Sequence, residues 1–492
     1  MTKNTSFYKA VVLILAVGGL TACSTNMATG EQQFTPFMPA SSEAKIGAEE
    51  HAKIMAQYGG PIQNTALKNY VTNIGQKLAS NTERNDVKYT FTVLDSPIVN
   101  AFALPGGYVY ISRGILTMAN NEAELAAVIG HEIGHVTARH SAERYSRGVL
   151  ASIGASVISA AVKTPGIDQA VGLGANLYLS SYSRSQESQS DDLGIRYISR
   201  AGYDPMAMSE FHKGLQASTA LDAKVAGRDT SGDQFNYFST HPITAQRIVD
   251  SAAESKKFPA SNMVNRNEYM RAIDGMIYGD SADQGFMVND TFIHPALGFK
   301  FNVPSNFSTE NSAQEFVAAS KRKNGPIMVF TGAKKPTSQT ITQFLTGTVL
   351  GGDMSTARDL NTTTINGMPA ATVEVPGTMS GTKANIRLVA VQWDNANVYL
   401  FKLVMPVGTT STEMQSLKNA AFSLNRTTPN DKAQYRPKRI DIFTAVTGDS
   451  VSRRASALPF NDGLNIERFR VLNGLVNGQE LQAGVKYKTI SQ

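Results

Sequence analysis

Residues 121–140 read NEAELAAVIGHEIGHVTARH, and the fold of the chain is read outward from them. Asn121 followed by Glu124 is a capping-box-like helix start. Leu125, Val128 and Ile129 then recur at helical spacing, which predicts a helix with a buried face. On that helix His131 and His135 lie one turn apart on the same side, where two imidazoles can hold one Zn²⁺. Glu132 sits about 100° round the axis. From there it can take a proton beside the metal without ligating it, the general-base position of a zinc peptidase. With 7 histidines in 492 residues, chance would place an HExxH in roughly one such chain in a hundred. Two unrelated helix histidines are therefore the weaker explanation.

A catalytic zinc site needs a third protein ligand and an open position. His140 lies nine residues from His131, on the opposite side of a continuous helix. It also falls one residue short of the spacing HExxHxxGxxH. It is not expected to ligate. Residues 182–205, YSRSQESQSDDLGIRYISRAGYDP, offer a better candidate. Glu187 and Asp191 are four apart on a predicted helix that continues through Leu193, Ile195, Tyr197 and Ile198. Glu187 is the expected carboxylate ligand. Asp191, one turn on, is expected to accept the free ring N–H of a ligating histidine. An ordinary acidic helix face has the same pattern, and only the upstream HExxH gives it weight.

Four separated segments now stand in one order: residues 100–114 (NAFALPGGYVYISRG), 131–140 (HEIGHVTARH), 187–191 (ESQSD) and 239–248 (STHPITAQRI). Over about residues 25–255 the chain resembles the M48 family of zinc metalloproteases, the Ste24/HtpX-like group. Ser190 stands where that family more often has Ala. Residues 29–34 (TGEQQF) and 49–60 (EEHAKIMAQYGG) resemble the entry segments of its periplasmic lipoprotein branch. The resemblance implies a mainly helical zincin-type domain with a small β-sheet and one zinc on His131, His135 and Glu187. It also implies that His241 reaches the zinc region. There His241 would either donate a hydrogen bond to the oxyanion or occupy the open metal position and hold the enzyme inactive. Arg247 would support the same site.

Tyr108, Val109, Tyr110 and Ile111 follow a Pro-Gly-Gly turn and carry strong β propensity. As an edge strand beside the zinc they would pair with the backbone of an extended peptide, a mode with little sequence preference. The alternative is an ordinary core strand.

Lys3 and Lys9 precede an apolar run from Val11 to Leu20, too short to span a membrane as a mature helix. Leu20-Thr21-Ala22-Cys23 then resembles a bacterial lipobox. Residues 1–23 read as a lipoprotein signal and lipobox, and Cys23 as the lipidated residue that anchors the chain. It is the sole cysteine, which argues against a disulfide role. Ser24, rather than Asp, resembles outer-membrane sorting by the enterobacterial rule. The formal charge of +6 is mild, and the basic residues are dispersed, so no nucleic-acid footprint is expected. The apolar run 149–162 is too short and too rich in Ala, Ser and Gly for a confident membrane span. It reads as a buried helix, with a membrane-facing helix as the alternative. Gly166–Gly174 reads as a mobile loop over the cleft.

Beyond about residue 255 short β-type runs replace helical periodicity: 299–303, 327–330, 371–375, 386–393 and 398–405, with helices expected over 340–350 and 412–424. This defines an α+β accessory domain, 285–427, with Trp393 in its core. It is expected to bind substrate or partner, with a spacer role as the alternative. No tetratricopeptide-like repeat is present. Residues 437–492 resemble a small βααβ LysM-like module, a type that binds N-acetylglucosamine polymers such as peptidoglycan; the stretch 459–463 departs from that pattern.

The expectation is an α+β multidomain chain: an M48-type domain over 24–280, the accessory domain, and the LysM-like tail. Glu132 would be its base and Zn²⁺ its cofactor. It would be a periplasmic, lipid-anchored endopeptidase acting on unfolded or misassembled envelope proteins. A chaperone or scaffold with a self-blocked zinc site is one alternative, and a peptidoglycan endopeptidase another. Cross-link peptides mix D- and L-residues and fit an edge-strand site poorly.

Overall fold

A computed structural model describes residues 23–150, 181–226, 237–379, 381–434 and 436–492. Residues 1–22 of the stretch read as a lipoprotein signal, most of the apolar run 149–162 and the Gly166–Gly174 stretch lie outside these residues. A short hairpin, β1 (Cys23–Thr25) and β2 (Gln32–Phe34), precedes helices α1 (Ala40–Gln57) and α2 (Thr65–Ala79). A small sheet follows, of β3 (Thr90–Leu94), β4 (Ala101–Leu104) and β5 (Tyr108–Ser112), then α3 (Arg113–Met118) and α4 (Glu122–Thr137). Next come α5 (Arg184–Arg200), α6 (Ala207–Ala226), α7 (Tyr237–Thr240), α8 (Ala245–Ser255), α9 (Arg266–Ile273) and strand β6 (Ile277–Tyr278). Among the described residues no helix is long and apolar enough to cross a membrane.

The central element is α4. Its N-cap, Asn121, accepts from the Glu124 backbone N–H at 2.9 Å, while the Glu124 carboxylate accepts from the Asn120 N–H at 2.8 Å. That second bond reaches one residue further back than in a regular capping box. Every residue from Glu122 to Thr137 is buried, so α4 is wrapped on all sides rather than on one face. Two glycines set how closely α5 can approach. A Cβ at Gly130 would lie 3.2 Å from the Gly194 carbonyl oxygen, and one at Gly134 would lie 3.0 Å from that of Ser190. From the other side, a Cβ at Gly194 would lie 2.9 Å from the His131 nitrogen. Only with hydrogen at these positions do the two backbones come near enough for side chains of α5 to meet those of α4.

The small sheet has the order β3-β5-β4. This corrects the edge-strand expectation for Tyr108, Val109, Tyr110 and Ile111. β5 pairs in parallel with β3 (Thr90↔Tyr108 to Leu94↔Ser112) and antiparallel with β4 (Ala101↔Ile111 to Leu104↔Tyr108). Its hydrogen-bonding edges are therefore both engaged. The reason lies in the Pro105-Gly106-Gly107 turn. Gly106 and Gly107 have φ of 78° and 89°, which suits glycine, and they fold β4 back as a hairpin partner of β5. β4 is left as an outer strand, and it packs on α4.

The accessory region forms two antiparallel sheets. Strands β7 (Phe286–Val288), β8 (Thr291–His294), β9 (Phe299–Asn302) and β17 (Asn425–Arg426) make one, in the order β17-β9-β8-β7. The other runs β10-β11-β12-β16-β15-β14-β13, over β10 (Phe307–Asn311), β11 (Glu315–Ser320), β12 (Ile327–Lys334), β13 (Arg358–Ile365), β14 (Met368–Met379), β15 (Thr382–Gln392) and β16 (Asn397–Pro406). Helices α10 (Ile341–Gln343), which runs on into a π-helical turn at Phe344–Val349, and α11 (Ser411–Phe422) accompany the larger sheet. Phe292, Phe299 and Phe301 of the smaller sheet and Phe316, Phe330 and Phe401 of the larger one share a single hydrophobic core. Trp393 is only half-buried at the margin of that core, with the Arg426 guanidinium 4.1 Å from its ring. The expectation of a core tryptophan is corrected accordingly: the indole is a surface-facing lid on the aromatic cluster.

After α12 (Pro429–Ala433) the chain returns to its first half. β18 (Lys438–Thr444), α13 (Val451–Ser456), α14 (Asn465–Asn473) and β19 (Lys486–Ser491) form a βααβ unit. Its sheet has the order β19-β18-β6, so the last strand of the N-terminal half completes it. Ile440, Val451, Phe469, Leu472 and Ile490 share one hydrophobic cluster with Leu125, Ile129 and Ile133 of α4. The fully buried Lys488 donates to the carbonyls of Thr117 at 2.7 Å and Ala119 at 2.8 Å. An amino group there donates to the carbonyls left open at the end of α3.

Candidate metal centre

His131 and His135 project from one side of α4. α5 begins at Ser183, whose hydroxyl accepts from the Gln186 N–H while the Gln186 side chain accepts from the Ser183 N–H. That cap starts the helix so that Glu187 and Asp191, one turn apart, both face α4. The Asp191 carboxylate accepts from His131 Nδ1–H at 2.8 Å. This leaves His131 Nε2 pointing inward, 3.1 Å from His135 Nε2 and 3.5 Å from Glu187 Oε2. Glu187 Oε1 lies 3.5 Å from His135 Nε2.

His241 follows α7 and enters the same space. Its Nδ1 is 3.0 Å from Glu187 Oε1 and 3.3 Å from His131 Nε2. One ligand atom from each of His131, His135, Glu187 and His241 lies within 4.8 Å of the others, and all four residues are buried. Ligands about 2.0–2.1 Å from a tetrahedral ion lie roughly 3.3 Å from one another. The separations above scatter around that edge length, so the donor set fits a four-coordinate metal ion. No other cluster of this kind occurs among the described residues.

Arg247 ties the carboxylates together. The first turn of α8, capped by Thr244, aims its guanidinium at Asp191, where Nη2 and Nε donate at 2.8 and 2.9 Å. Nη1 lies 2.8 Å from Glu187 Oε2 and donates to the Pro242 carbonyl, beside His241, at 3.0 Å. Glu187 and Asp191 are both held well below the usual carboxylate range. Burial opposes this; His241, His131 and His135 outweigh it at Glu187, and His212, Arg247 and His131 outweigh it at Asp191.

Glu132 has a different setting. It is fully buried, and among the described residues neither carboxylate oxygen has a hydrogen-bond partner. The nearest charged-pair neighbour is His241 Nε2, 3.6 Å from Oε1. Burial pushes its pKa up. A buried carboxylate left open on both oxygens, next to a ring of metal-type donors, is suited to hold and return a proton.

Four participants were not assigned from the sequence. Tyr182 stacks on His135 with ring centres 3.8 Å apart, and Tyr237 stacks on His241 at 4.6 Å. His212 places Nε2 3.5 Å from Asp191 Oδ1. His140, read as a non-ligand, lies outside the donor cluster but touches His135, Nδ1 to Nδ1, at 2.8 Å. Burial lowers its pKa to about 4, so it is neutral at neutral pH. The tyrosines carry no sequence signal of their own. His140 could have been found only by knowing that α4 stops at Ala138 and that Arg139 takes a φ of +56°. Tyr108, Val109, Tyr110 and Ile111 are not brought to the centre. The outer strand β4 is nearer, since Ala103 and Leu104 line one small cleft together with His135. Cys23 opens β1, paired with Phe34.

Fold and centre together define a metallopeptidase-type site: an HExxH helix, a carboxylate from a second helix and a buried general-base candidate. Residues 65–254 match the model of Peptidase family M48, and the chain carries an M48 peptidase domain. A relative in Escherichia coli (strain K12), named beta-barrel assembly-enhancing protease, is 28% identical over 200 residues, 39% of this chain and 39% of the relative. A Vibrio cholerae relative bearing that name in provisional form is 32% identical over 226 residues, 42% of this chain and 43% of the relative. The mitochondrial metalloendopeptidase OMA1 of Schizosaccharomyces pombe is 30% identical over 210 residues, 42% of this chain and 59% of the relative. The chain thus spans about two to three fifths of these relatives' lengths.

Proposed function

We propose that this chain is a zinc-dependent endopeptidase of the bacterial envelope that cuts unfolded or misassembled envelope proteins, outer-membrane barrel proteins among them. The observation that carries the reading is the near-tetrahedral spacing of the His131, His135, Glu187 and His241 ligand atoms beside the unpartnered Glu132 carboxylate. Three histidines and a carboxylate suit zinc among the common divalent ions. Held there, zinc supplies Lewis acidity, lowering the pKa of water and polarising a carbonyl. Glu132 then accepts the proton of the attacking water on a carboxylate oxygen and returns it to the leaving amine nitrogen. Asp191 holds His131 as the Nδ1–H tautomer, and Arg247 holds Asp191 and Glu187 in place. An extended substrate strand would lie along the outer edge of β4, where backbone pairing selects exposed chain over a particular side chain.

His241 is fully buried and sits at ligand distance from its neighbours. This favours the inhibitory role over the assisting one for the resting state: His241 takes the position that substrate needs, and Tyr237 and His241 must shift before a peptide reaches Glu132. Lipid on Cys23 would keep the enzyme at the outer membrane. The βααβ unit at 437–492 would act as a LysM-like module toward peptidoglycan, and the accessory domain at 285–427 would bind substrate or partner. The names of the bacterial relatives support the substrate class.

The test is metal analysis beside cleavage. The purified protein should hold about one zinc, and His131→Ala, His135→Ala and Glu187→Gln should each lose it. An outer-membrane barrel protein should be cut when denatured and spared when folded. Cleavage of folded and unfolded forms alike would remove the quality-control reading while leaving the peptidase reading intact.

A further inference from the structure

Beyond the metal ligands, we infer that a hydrogen-bonded chain from Glu31 through Gln189 and His140 fixes the tautomer of His135 and so presents its Nε2 to the metal. The inference rests on the metal reading above.

The direction of each hydrogen bond follows from its neighbour. Glu31 Oε2 is a carboxylate oxygen and can only accept, so the Gln189 group 2.9 Å away is the amide NH₂. Gln189 Oε1 then faces His140 Nε2 at 2.8 Å and must accept from it. With its proton on Nε2, neutral His140 carries a lone pair on Nδ1. That lone pair faces His135 Nδ1 at 2.8 Å, so His135 Nδ1 is the donor. The Ser190 hydroxyl, 3.4 Å from the same His140 nitrogen, is a second donor to it. The proton on His135 Nδ1 leaves its Nε2 unprotonated, and that is the atom beside His131 Nε2 and Glu187 Oε1. His131 receives the same service from Asp191. The two ligating histidines of the HExxH helix therefore have different supports, a carboxylate for one and a neutral imidazole for the other.

The backbone is shaped for this contact. α4 ends at Ala138, and Arg139 adopts the left-handed region, uncommon for a residue with a side chain. Its guanidinium is held by Glu43 Oε1 at 2.6 Å, Thr35 Oγ1 at 3.0 Å and the Met38 carbonyl at 2.7 Å. The next residue, His140, is thereby turned back under His135, where a continuing helix would have carried it to the far side. The Tyr182 ring, stacked on His135, fixes the ring plane from its other face. His140 and Gln189 are positioning residues: they touch neither metal nor substrate.

The test uses Zn²⁺ alone as the probe, with competition against a chromophoric chelator, and nitrogen-15 NMR of the histidine rings. Wild type should show a proton on His135 Nδ1 and none on Nε2. His140→Leu should weaken zinc binding about 10- to 100-fold, the usual effect of losing such a support, and should mix the His135 tautomers. His140→Asn, whose amide oxygen can accept where Nδ1 does, should recover most of the affinity and the single tautomer. A purely structural role for His140 would move thermal stability without this pattern. Gln189→Leu, at the rim, should mix the His140 tautomers and weaken zinc by a smaller factor. It carries the test if His140→Leu does not fold. If wild type binds zinc and these variants match it in affinity and tautomer, the inference is overturned. If wild type binds no zinc, the metal reading fails instead, and the NMR arm on the metal-free protein still decides the tautomer.

Discussion

Glu132 and Glu187 are the same residue type in opposite electrical settings. Glu187 sits among three imidazoles and Arg247, which hold it ionised as a ligand must be. At Glu132 burial outweighs the nearby imidazoles and raises its proton affinity toward that of a working base. Glu132→Gln should therefore lower cleavage by about 10²–10⁴-fold with zinc content unchanged, read by turnover and metal analysis on the same sample. Loss of zinc with activity would move Glu132 into the ligand set. His131 yields a pH dependence. Burial alone would push its pKa down, but Asp191 and Glu187 outweigh this and hold it at about 9 in the metal-free protein, above the ordinary value near 6.5. Stability from this group in the metal-free state is therefore full below about pH 6.5 and is lost as pH rises through about 9. Zinc competes with the same proton, so zinc affinity should climb over that window and then level off. Buffered-chelator titrations at fixed ionic strength would measure it, and a flat profile would remove the imidazolium. At this scale the grouping of His131, His135 and Glu187 was legible because one-turn spacings put such residues on single helix faces. His241 was reached only by family resemblance, since its approach depends on a loop. His140 stands outside the donor cluster, as its spacing suggested, but its contact with His135 was not legible because the angular argument assumed a helix continuing past Thr137.

At the scale of elements the site depends on how closely α4 and α5 pack. A Cβ at Gly194 would lie 2.6 Å from Met208 Cε and 2.9 Å from the His131 nitrogen. The methionine end can move, but the backbone nitrogen of a ligand residue cannot move without carrying its ring along. Gly194→Ala should therefore destabilise the metal-free protein by about 1–3 kcal/mol, the usual cost of overpacking. It should also weaken zinc binding beyond any effect of a distant mutation of equal stability cost. Urea unfolding and zinc titration of the pair would check this, and an unchanged zinc affinity would mean the helices part without disturbing the ligands. The helix at 122–137 and the strand character of 108–111 were both legible from local pattern. The place of that strand in its sheet was not. Pairing with β3, which lies before the hairpin, is non-local, and no periodicity within 108–111 distinguishes a central strand from an outer one.

For the whole molecule, the order of the chain and the order of packing differ. Tyr278 of β6 pairs with Lys438 of β18, so the accessory region leaves and returns at neighbouring points. The C-terminal unit, last in sequence, shares its core with α4. Replacing residues 280–436 by a short Gly/Asn turn joining β6 to β18 should leave a soluble chain with a single cooperative unfolding transition and bound zinc. Ending the chain at residue 436 should instead strip Ile440, Phe469, Leu472 and Ile490 from the core and take Lys488 from the carbonyls at the end of α3. Aggregation or loss of zinc is the expected result, read by size-exclusion chromatography and metal analysis. The opposite ranking of the two deletions would contradict the shared core. The switch from helix-rich to strand-rich chain was readable from the change of period near residue 255 and the turn-rich stretches after it. That the first and last parts form one body was not, because a shared core leaves no local mark in either segment.

The most direct test of the central claim is the cleavage of an unfolded polypeptide such as casein by the zinc-loaded protein lacking residues 1–23. Glu132→Gln and His241→Ala would be run beside it, and bound zinc measured in all three. The account expects chelator-sensitive cleavage by wild type and faster cleavage by His241→Ala. It expects no cleavage by Glu132→Gln, with zinc still present. One bound zinc with no cleavage by either wild type or His241→Ala would contradict the peptidase account. The metal centre would then serve a scaffold whose action lies in the other two regions.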